Sequence, residues 1–140
     1  MRQPSPLRSR RRWRQVVAFA AVGLLATAIQ YAVLFAAVRI WHVDPVLGSS
    51  AGFLISAVVN YLLNYHVTFK SASPHLSAVT RFAIITSAGF VLNGAIMFAL
   101  IQWLHILYVV AQLIATGVVT AWNFLGSALW TFNKAGGERQ

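Results

Sequence analysis

Asn60-Tyr61-Leu62-Leu63-Asn64-Tyr65-His66-Val67-Thr68-Phe69 returns in altered form 63 residues later as Asn123-Phe124-Leu125-Gly126-Ser127-Ala128-Leu129-Trp130-Thr131-Phe132. Both copies place an amide at the same position of a long apolar run that closes on Thr-Phe. The register extends backwards without a gap: Phe19-Ala20 matches Phe82-Ala83, Gln30 matches Asn93, Phe35-Ala36 matches Phe98-Ala99, and His42 matches His105. A short motif recurs by chance, but one offset maintained over about 50 residues points to a duplicated unit.

The composition says what kind of unit this is. Of 140 residues, 59% are hydrophobic and only 9% charged, and the mean hydropathy is +0.69. A water-soluble domain of this size needs far more charge on its surface. No Asp, Glu, Lys or Arg occurs in Val16–Val38, Pro45–Phe69 or Phe82–Phe132. About 20 apolar residues at 1.5 Å rise per residue cross a 30 Å hydrocarbon core. Strand-like alternation is missing, so helices are the only spanning structure these runs support. The expected fold is therefore all-α and integral to a membrane, with four transmembrane helices arranged as two tandem two-helix repeats.

In chain order, residues 1–15 form a basic N-terminal segment, expected to be disordered away from the membrane. Residues 16–134 form the membrane domain, with repeats at about 16–70 and 81–134, and residues 135–140 form a short tail. The spans run from about Val16 to Val38, Val46 to Phe69, Phe82 to Trp103 and Tyr108 to Trp130. The first is too long for a signal peptide and lacks a clean small-x-small cleavage site. Four spans put the N-terminus, the 70–81 loop and the C-terminus on one side. That side carries Arg2, Arg8, Arg10, Arg11, Arg12, Arg14, Lys70, Arg81, Lys134 and Arg139, against Arg39 alone on the other. The positive-inside bias predicts cytoplasmic N- and C-termini, and it makes the duplication parallel rather than inverted. The net charge of +9 is explained by this topology and by contact with anionic headgroups, not by nucleic acid.

The residues narrow the chemistry further. No carboxylate lies within a span, and the four histidines fall at helix ends or in the 70–81 loop without ligand spacing. Acid–base hydrolysis, a metal centre and a bound cofactor are not expected. With no cysteine, there is neither a disulfide nor a thiolate site. The polar residues inside the spans are more informative. Gln112, Thr116, Thr120, Asn123 and Ser127 recur at steps of four, four, three and four, which puts them on one helix face. Ser49, Ser56, Asn60 and Asn64 form a comparable stripe, and the other spans add Thr27, Gln30, Thr86 and Asn93. Small and amide residues of this kind serve helix packing. Amides repeated in both halves, Gln30 with Asn93 and Asn60 with Asn123, also suit the lining of a polar cleft able to pass a sugar headgroup. Asn64, Gln112 and Thr116 extend that lining, and Trp122, beside Asn123, is placed to stack on a sugar ring. Arg14, Lys70 and Arg81 sit at the inner boundary, where a lipid phosphate lies and basic side chains can grip it.

With these residues in view, the chain resembles the GtrA-like membrane proteins. The resemblance covers about residues 16–134. It rests on Phe19-Ala20-Ala21-Val22-Gly23, Asn60-Tyr61 to Thr68-Phe69, Arg81-Phe82, and Asn123-Phe124 to Thr131-Phe132. It departs at Ala18 and at Tyr65-His66, where the family tends to be basic, which leaves Arg81 as the phosphate contact carried over most directly. The resemblance implies a bacterial inner-membrane flippase or flippase subunit. Its substrate would be a polyprenyl-phosphate-linked monosaccharide bound for surface polysaccharide. Its partners would be that lipid, the bilayer, a membrane glycosyltransferase and a second copy of the chain in a homodimer. A non-transporting anchor for a glycosyltransferase is the main rival. A small multidrug exporter is a weaker one, since such exporters resemble one another in an embedded Glu of the first helix that this chain lacks.

Overall fold

A computed structural model describes the backbone over residues 6–68 and 75–137, and the side chains of residues 10, 13–66 and 79–126. Four helices follow one another: α1 (Pro6–Arg39), α2 (Pro45–Leu63), α3 (His75–Gln102) and α4 (Tyr108–Gly137). A π-turn, Asn64–Thr68, continues α2, and no strand occurs among the described residues. Each helix contains a segment long and apolar enough to cross a membrane: Trp13–Arg39, Pro45–His66, Val79–Gln102 and Tyr108–Gly126. Leu24, Val91, Leu113 and Phe124 are among many large apolar side chains exposed on all sides of the bundle, the arrangement a hydrocarbon solvent favours. The chain is a multi-pass membrane protein.

Two helices begin earlier than the apolar runs suggest. α1 starts at Pro6 and takes in most of the basic segment expected to be disordered, and α3 starts at His75 inside the expected polar loop. Proline at the first helical position has its φ already set. Extending an existing helix costs only propagation, not nucleation, so the long spans carry their polar flanks into helix. Phe69 and Lys70 lie outside the described residues, as do the side chains of Thr131 and Phe132.

The helices form two hairpins, α1 on α2 and α4 on α3, joined through α2 and α3. Lipid tails are as apolar as leucine, so the hairpins are held by close packing of small residues rather than by exclusion of water. α2 meets α1 through Gly48 and Gly52. A Cβ added at Gly52 would stand 2.6 Å from the Gln30 carbonyl oxygen, and one at Gly48 would stand 3.0 Å from Ala37 Cβ. In the second hairpin Ala111 and Ala115 occupy the positions 63 residues on. They are fully buried with Met97, against Ile96, Leu100 and Ile106.

The same offset runs through the geometry. Ala26 and Gly89, Gln30 and Asn93, Leu34 and Met97, Ser49 and Gln112, and Ser56 and Val119 are all buried. Both inter-helix turns place a histidine in the left-handed region, His42 at φ 53° and His105 at φ 50°. A left-handed residue is a common way to end a helix. The turn hydrogen bonds also correspond: Val43 N to Ala37 O and Ile106 N to Leu100 O are both 2.9 Å, and Gly48 N to Asp44 O and Ala111 N to Leu107 O are both 2.9 Å. The hairpins differ at the start of their second helix. Only α2 has a side-chain cap, with Asp44 Oδ1 accepting from Val46 N at 2.9 Å and Leu47 N at 3.4 Å.

Candidate functional site

Burial divides the bundle along its axis. Toward the two turns, each helix contributes buried residues. Toward the termini, α1 still buries Ala26 and Val22, whereas among the described residues α2 beyond Ser56, α3 before Gly89 and α4 beyond Val119 contribute none, and the π-turn contributes Asn64. The polar residues sort themselves by this division.

In the packed end, Ser49, Asn93, Gln112 and Thr116 form one hydrogen-bonded node drawn from α2, α3 and α4. Ser49 Oγ donates to Gln112 Oε1. Asn93 Nδ2 donates to Ser49 Oγ at 2.8 Å. Gln112 Nε2 reaches Asn93 Oδ1 at 3.3 Å and Thr116 Oγ1 at 3.2 Å. Helix α1 joins through Tyr31, whose hydroxyl lies 3.0 Å from Thr116 Oγ1. Asn93 is 1% exposed and Gln112 and Ser49 are 0% exposed. With no water in the bilayer core, each buried amide must find its partner among the others, and here the donors and acceptors satisfy one another. Gln30 is also buried, but it packs on the other side of α1, its Cγ within 3.3 Å of a Cβ placed at Gly52.

In the open end the amides are spread out. Asn60 extends the buried face of α2 (Phe53, Ser56) by one further turn and is only half-buried. Its Oδ1 accepts from Asn64 Nδ2 at 2.9 Å, at the junction where the helix passes into the π-turn. Asn123 is exposed, yet it faces the bundle. A Cβ added at Gly89 would meet Val119 Cγ1 at 3.3 Å, Phe53 Cζ at 3.4 Å and Asn123 Oδ1 at 3.6 Å. An amide that stands over a buried glycine while remaining accessible lines a mouth rather than the outer surface. The described part of the bundle near the termini is therefore the more loosely packed end, and the space beside Asn60 and Asn123 is termed the vestibule.

The eight amide, threonine and tryptophan candidates thus do not meet in one cleft. Asn93, Gln112 and Thr116 meet in the node, Asn60 and Asn64 pair with each other, and Asn123 stands at the vestibule. Gln30 and Trp122 join neither group, Trp122 being 43% exposed. Of the basic candidates, Arg14 is exposed and Arg81 half-buried at the termini end, while Lys70 is outside the described residues. Arg81 adjoins Phe82, whose ring lies 5.1 Å from that of Tyr61 on α2. That contact keeps the α2–α3 seam together at this end.

Tyr31 was not singled out by its sequence context, and Ser49 entered only as one member of a stripe. The signal for Tyr31 was its depth. Eight residues separate it from Arg39, roughly 12 Å along the helix, well below the interfacial belt that accounts for most membrane tyrosines.

A family model described as the GtrA/DPMS transmembrane domain matches residues 18–132. No curated protein and no solved structure matches the chain.

Proposed function

The chain belongs to the GtrA/DPMS transmembrane-domain family, and from that premise we propose that it moves a polyprenyl-phosphate-linked monosaccharide from the cytoplasmic to the outer leaflet of a bacterial inner membrane. The termini and the vestibule face the cytoplasm in this reading. The observation that carries it is the uncharged polar lining of the bundle, with Asn60 and Asn123 at the open end and Ser49, Asn93, Gln112 and Thr116 at the packed end. A sugar entering hydrocarbon bare leaves several hydroxyls unsatisfied, each costing several kcal/mol. Amide and hydroxyl side chains offer both donors and acceptors, so they can take over those bonds. The protein supplies a path and carries out no covalent step. Arg81, Lys70 and Arg14 meet the lipid phosphate at the inner boundary, where the positive-inside bias concentrates charge. The partners are the sugar lipid, the surrounding bilayer, a second copy of the chain and a membrane glycosyltransferase that makes or consumes the substrate.

Leaflet-to-leaflet movement of polyprenyl-phosphate sugars in proteoliposomes tests the proposal, comparing wild type with Asn60→Ala/Asn123→Ala. We expect movement that falls at least tenfold in the double variant. Movement indifferent to both amides removes them from the path while keeping the transport. Folded wild-type protein that moves no sugar lipid overturns the proposal and leaves an anchor for a glycosyltransferase as the function.

A further inference from the structure

The path proposed above has to remain open to lipid along its whole length. A polyprenyl chain stays in hydrocarbon while its headgroup travels, so the headgroup moves along a seam between two helices and cannot pass through a closed ring. Three of the seams are poor candidates. α1 and α2 interlock at Gly48 and Gly52, and a Cβ at either glycine meets α1 at 3.0 Å or less. α3 and α4 share the core around Met97, Ala111 and Ala115 and are still in contact near the termini, where Gly126 lies against Ile85. α2 and α3 are tied by the Phe53–Phe90 and Tyr61–Phe82 ring contacts, one in each half of the span.

The α1–α4 seam is different. These helices pack on each other far less than any pair adjacent in sequence. Among the described residues, the hydrogen-bond and ring contacts that join them are the Tyr31–Thr116 hydrogen bond of 3.0 Å and the edge-on meeting of Phe35 with Tyr108 at 6.1 Å between ring centres. Both belong to the end near the turns. Toward the termini the same stripes continue as Thr27 and Gly23 on α1 and as Thr120 and Asn123 on α4, all small or polar. Gly23 has nothing within 4 Å of an added Cβ, and Thr120 and Asn123 are exposed. The closed part is also imperfectly made, since the Tyr108 hydroxyl is buried without a hydrogen-bond partner. A polar atom left unpaired in a closed seam is an internal cost, and it is relieved when the seam parts or a hydroxylated group enters it.

We propose that the α1–α4 seam is the headgroup's path. On this assignment, which rests on the transport reading above, Tyr31 and Thr116 form the latch at its narrow point. The headgroup of a lipid-linked sugar enters from the vestibule at Asn123 and Thr120 and replaces the Tyr31–Thr116 bond with its own hydroxyls. It then leaves past Tyr108 into the far leaflet. Tyr31 positions it. The node behind Thr116 holds α4 to α2 and α3 while α1 swings away, so the seam opens on one side only.

The chain contains no cysteine, so introduced pairs are the only thiols and can be bridged selectively. Tyr31→Cys/Thr116→Cys and Phe35→Cys/Tyr108→Cys are each joined by a short reducible bis-thiol reagent in proteoliposomes. Ile85→Cys/Gly126→Cys bridges the α3–α4 seam as a control, at a contact where an added Cβ stands 3.8 Å from Ile85. The second pair lies outside the hydrogen-bonded node and gives the answer if loss of the Tyr31 hydroxyl by itself stops movement. Each variant is compared with itself before bridging and after reduction. We expect bridging α1 to α4 to slow sugar-lipid movement at least tenfold, with recovery on reduction, and the α3–α4 bridge to leave it unchanged. Movement that survives the α1–α4 bridge overturns the seam and leaves transport standing, as does an equal block by all three bridges. Absence of movement in unbridged and wild-type protein alike overturns the transport reading and the seam with it.

Discussion

Gly52→Ala offers a direct test of whether α1 and α2 meet as described. The new Cβ would lie 2.6 Å from the Gln30 carbonyl oxygen, whereas ordinary contact begins at 3.4 Å. The obstacle is backbone, so no rotamer change relieves it, and the two helices must separate by about 0.8 Å (3.4 − 2.6) at the crossing. A gap of roughly 0.5–1 Å forfeits a quarter to a half of each dispersion contact, and the crossing is where the hairpin has most of them. Overpacking of this kind costs about 1–3 kcal/mol. Against it stands the intrinsic helix preference of alanine over glycine, about 1 kcal/mol, leaving a net loss of up to about 2 kcal/mol.

The other glycines provide the comparison within the same chain. Gly117 and Gly23 have nothing within 4 Å of an added Cβ, so alanine there keeps the helix gain and stabilises by up to about 1 kcal/mol. Gly48, at 3.0 Å from a side-chain atom, falls between. Unfolding by SDS titration in bicelles, followed by far-ultraviolet circular dichroism, should therefore rank Gly52→Ala below Gly48→Ala, and both below Gly117→Ala. The extremes should differ by about 1–3 kcal/mol, the overpacking cost itself. If Gly52→Ala and Gly117→Ala unfold within about 0.5 kcal/mol of each other, the close α1–α2 crossing is wrong.

Gln112→Leu removes three side-chain hydrogen bonds from the node. At about 0.6 kcal/mol each in a membrane, this amounts to a loss of about 2 kcal/mol in the same titration. Adding Ser49→Ala and Asn93→Leu should recover part of that loss, because no stranded partner then remains; a triple variant less stable than Gln112→Leu would contradict the network. Asp44→Ala deletes the side-chain cap of α2 and should cost about 1 kcal/mol, with faster hydrogen exchange at the Val46 and Leu47 amides and no change in α4.

Much of this architecture is legible in the sequence because the signals are long-range. The uncharged runs predict four spans, and the structure has four helices with segments of that length. The 63-residue offset read from Gln30/Asn93 and His42/His105 reappears in burial and in the left-handed turns. The site was harder to read. Helix-face arithmetic correctly puts Gln112, Thr116 and Asn123 on related sides of α4, but it carries no information about where along the axis the neighbouring helices stop touching. Gln112 and Asn123 share a stripe, and one is sealed in a node while the other lines a mouth. Tyr31 was missed for a related reason. Its role comes from a partner 85 residues away, and no spacing within its own helix announces that.

The two halves also show how far sequence symmetry can be trusted. Near the turns the correspondence holds for the backbone, in the left-handed histidines and the hydrogen bonds across His42 and His105, but not for every side chain, since Asn93 joins the node while Gln30 does not. At the other end the stretches leading to the matching Thr-Phe endings differ in backbone. Asn64–Thr68 is wound as a π-turn, whereas residues 127–131, at the same offset, continue the α-helix of α4. A π-turn takes up one extra residue, about 100° of rotation. Asn60 and Asn123 both precede this difference, and burial and pairing separate them: Asn60 is half-buried and accepts from Asn64 Nδ2, whereas Asn123 is exposed. π-turns occur mostly as single insertions within α-helices, frequently at functional sites, and this one is at the termini end and begins with Asn64, the one buried amide among the described residues there. If the headgroup first meets the protein at that end, recognition is asymmetric and is weighted to the α2 half. Asn60→Ala alone should then reduce capture of the sugar lipid more than Asn123→Ala alone, which acts on its passage along α4.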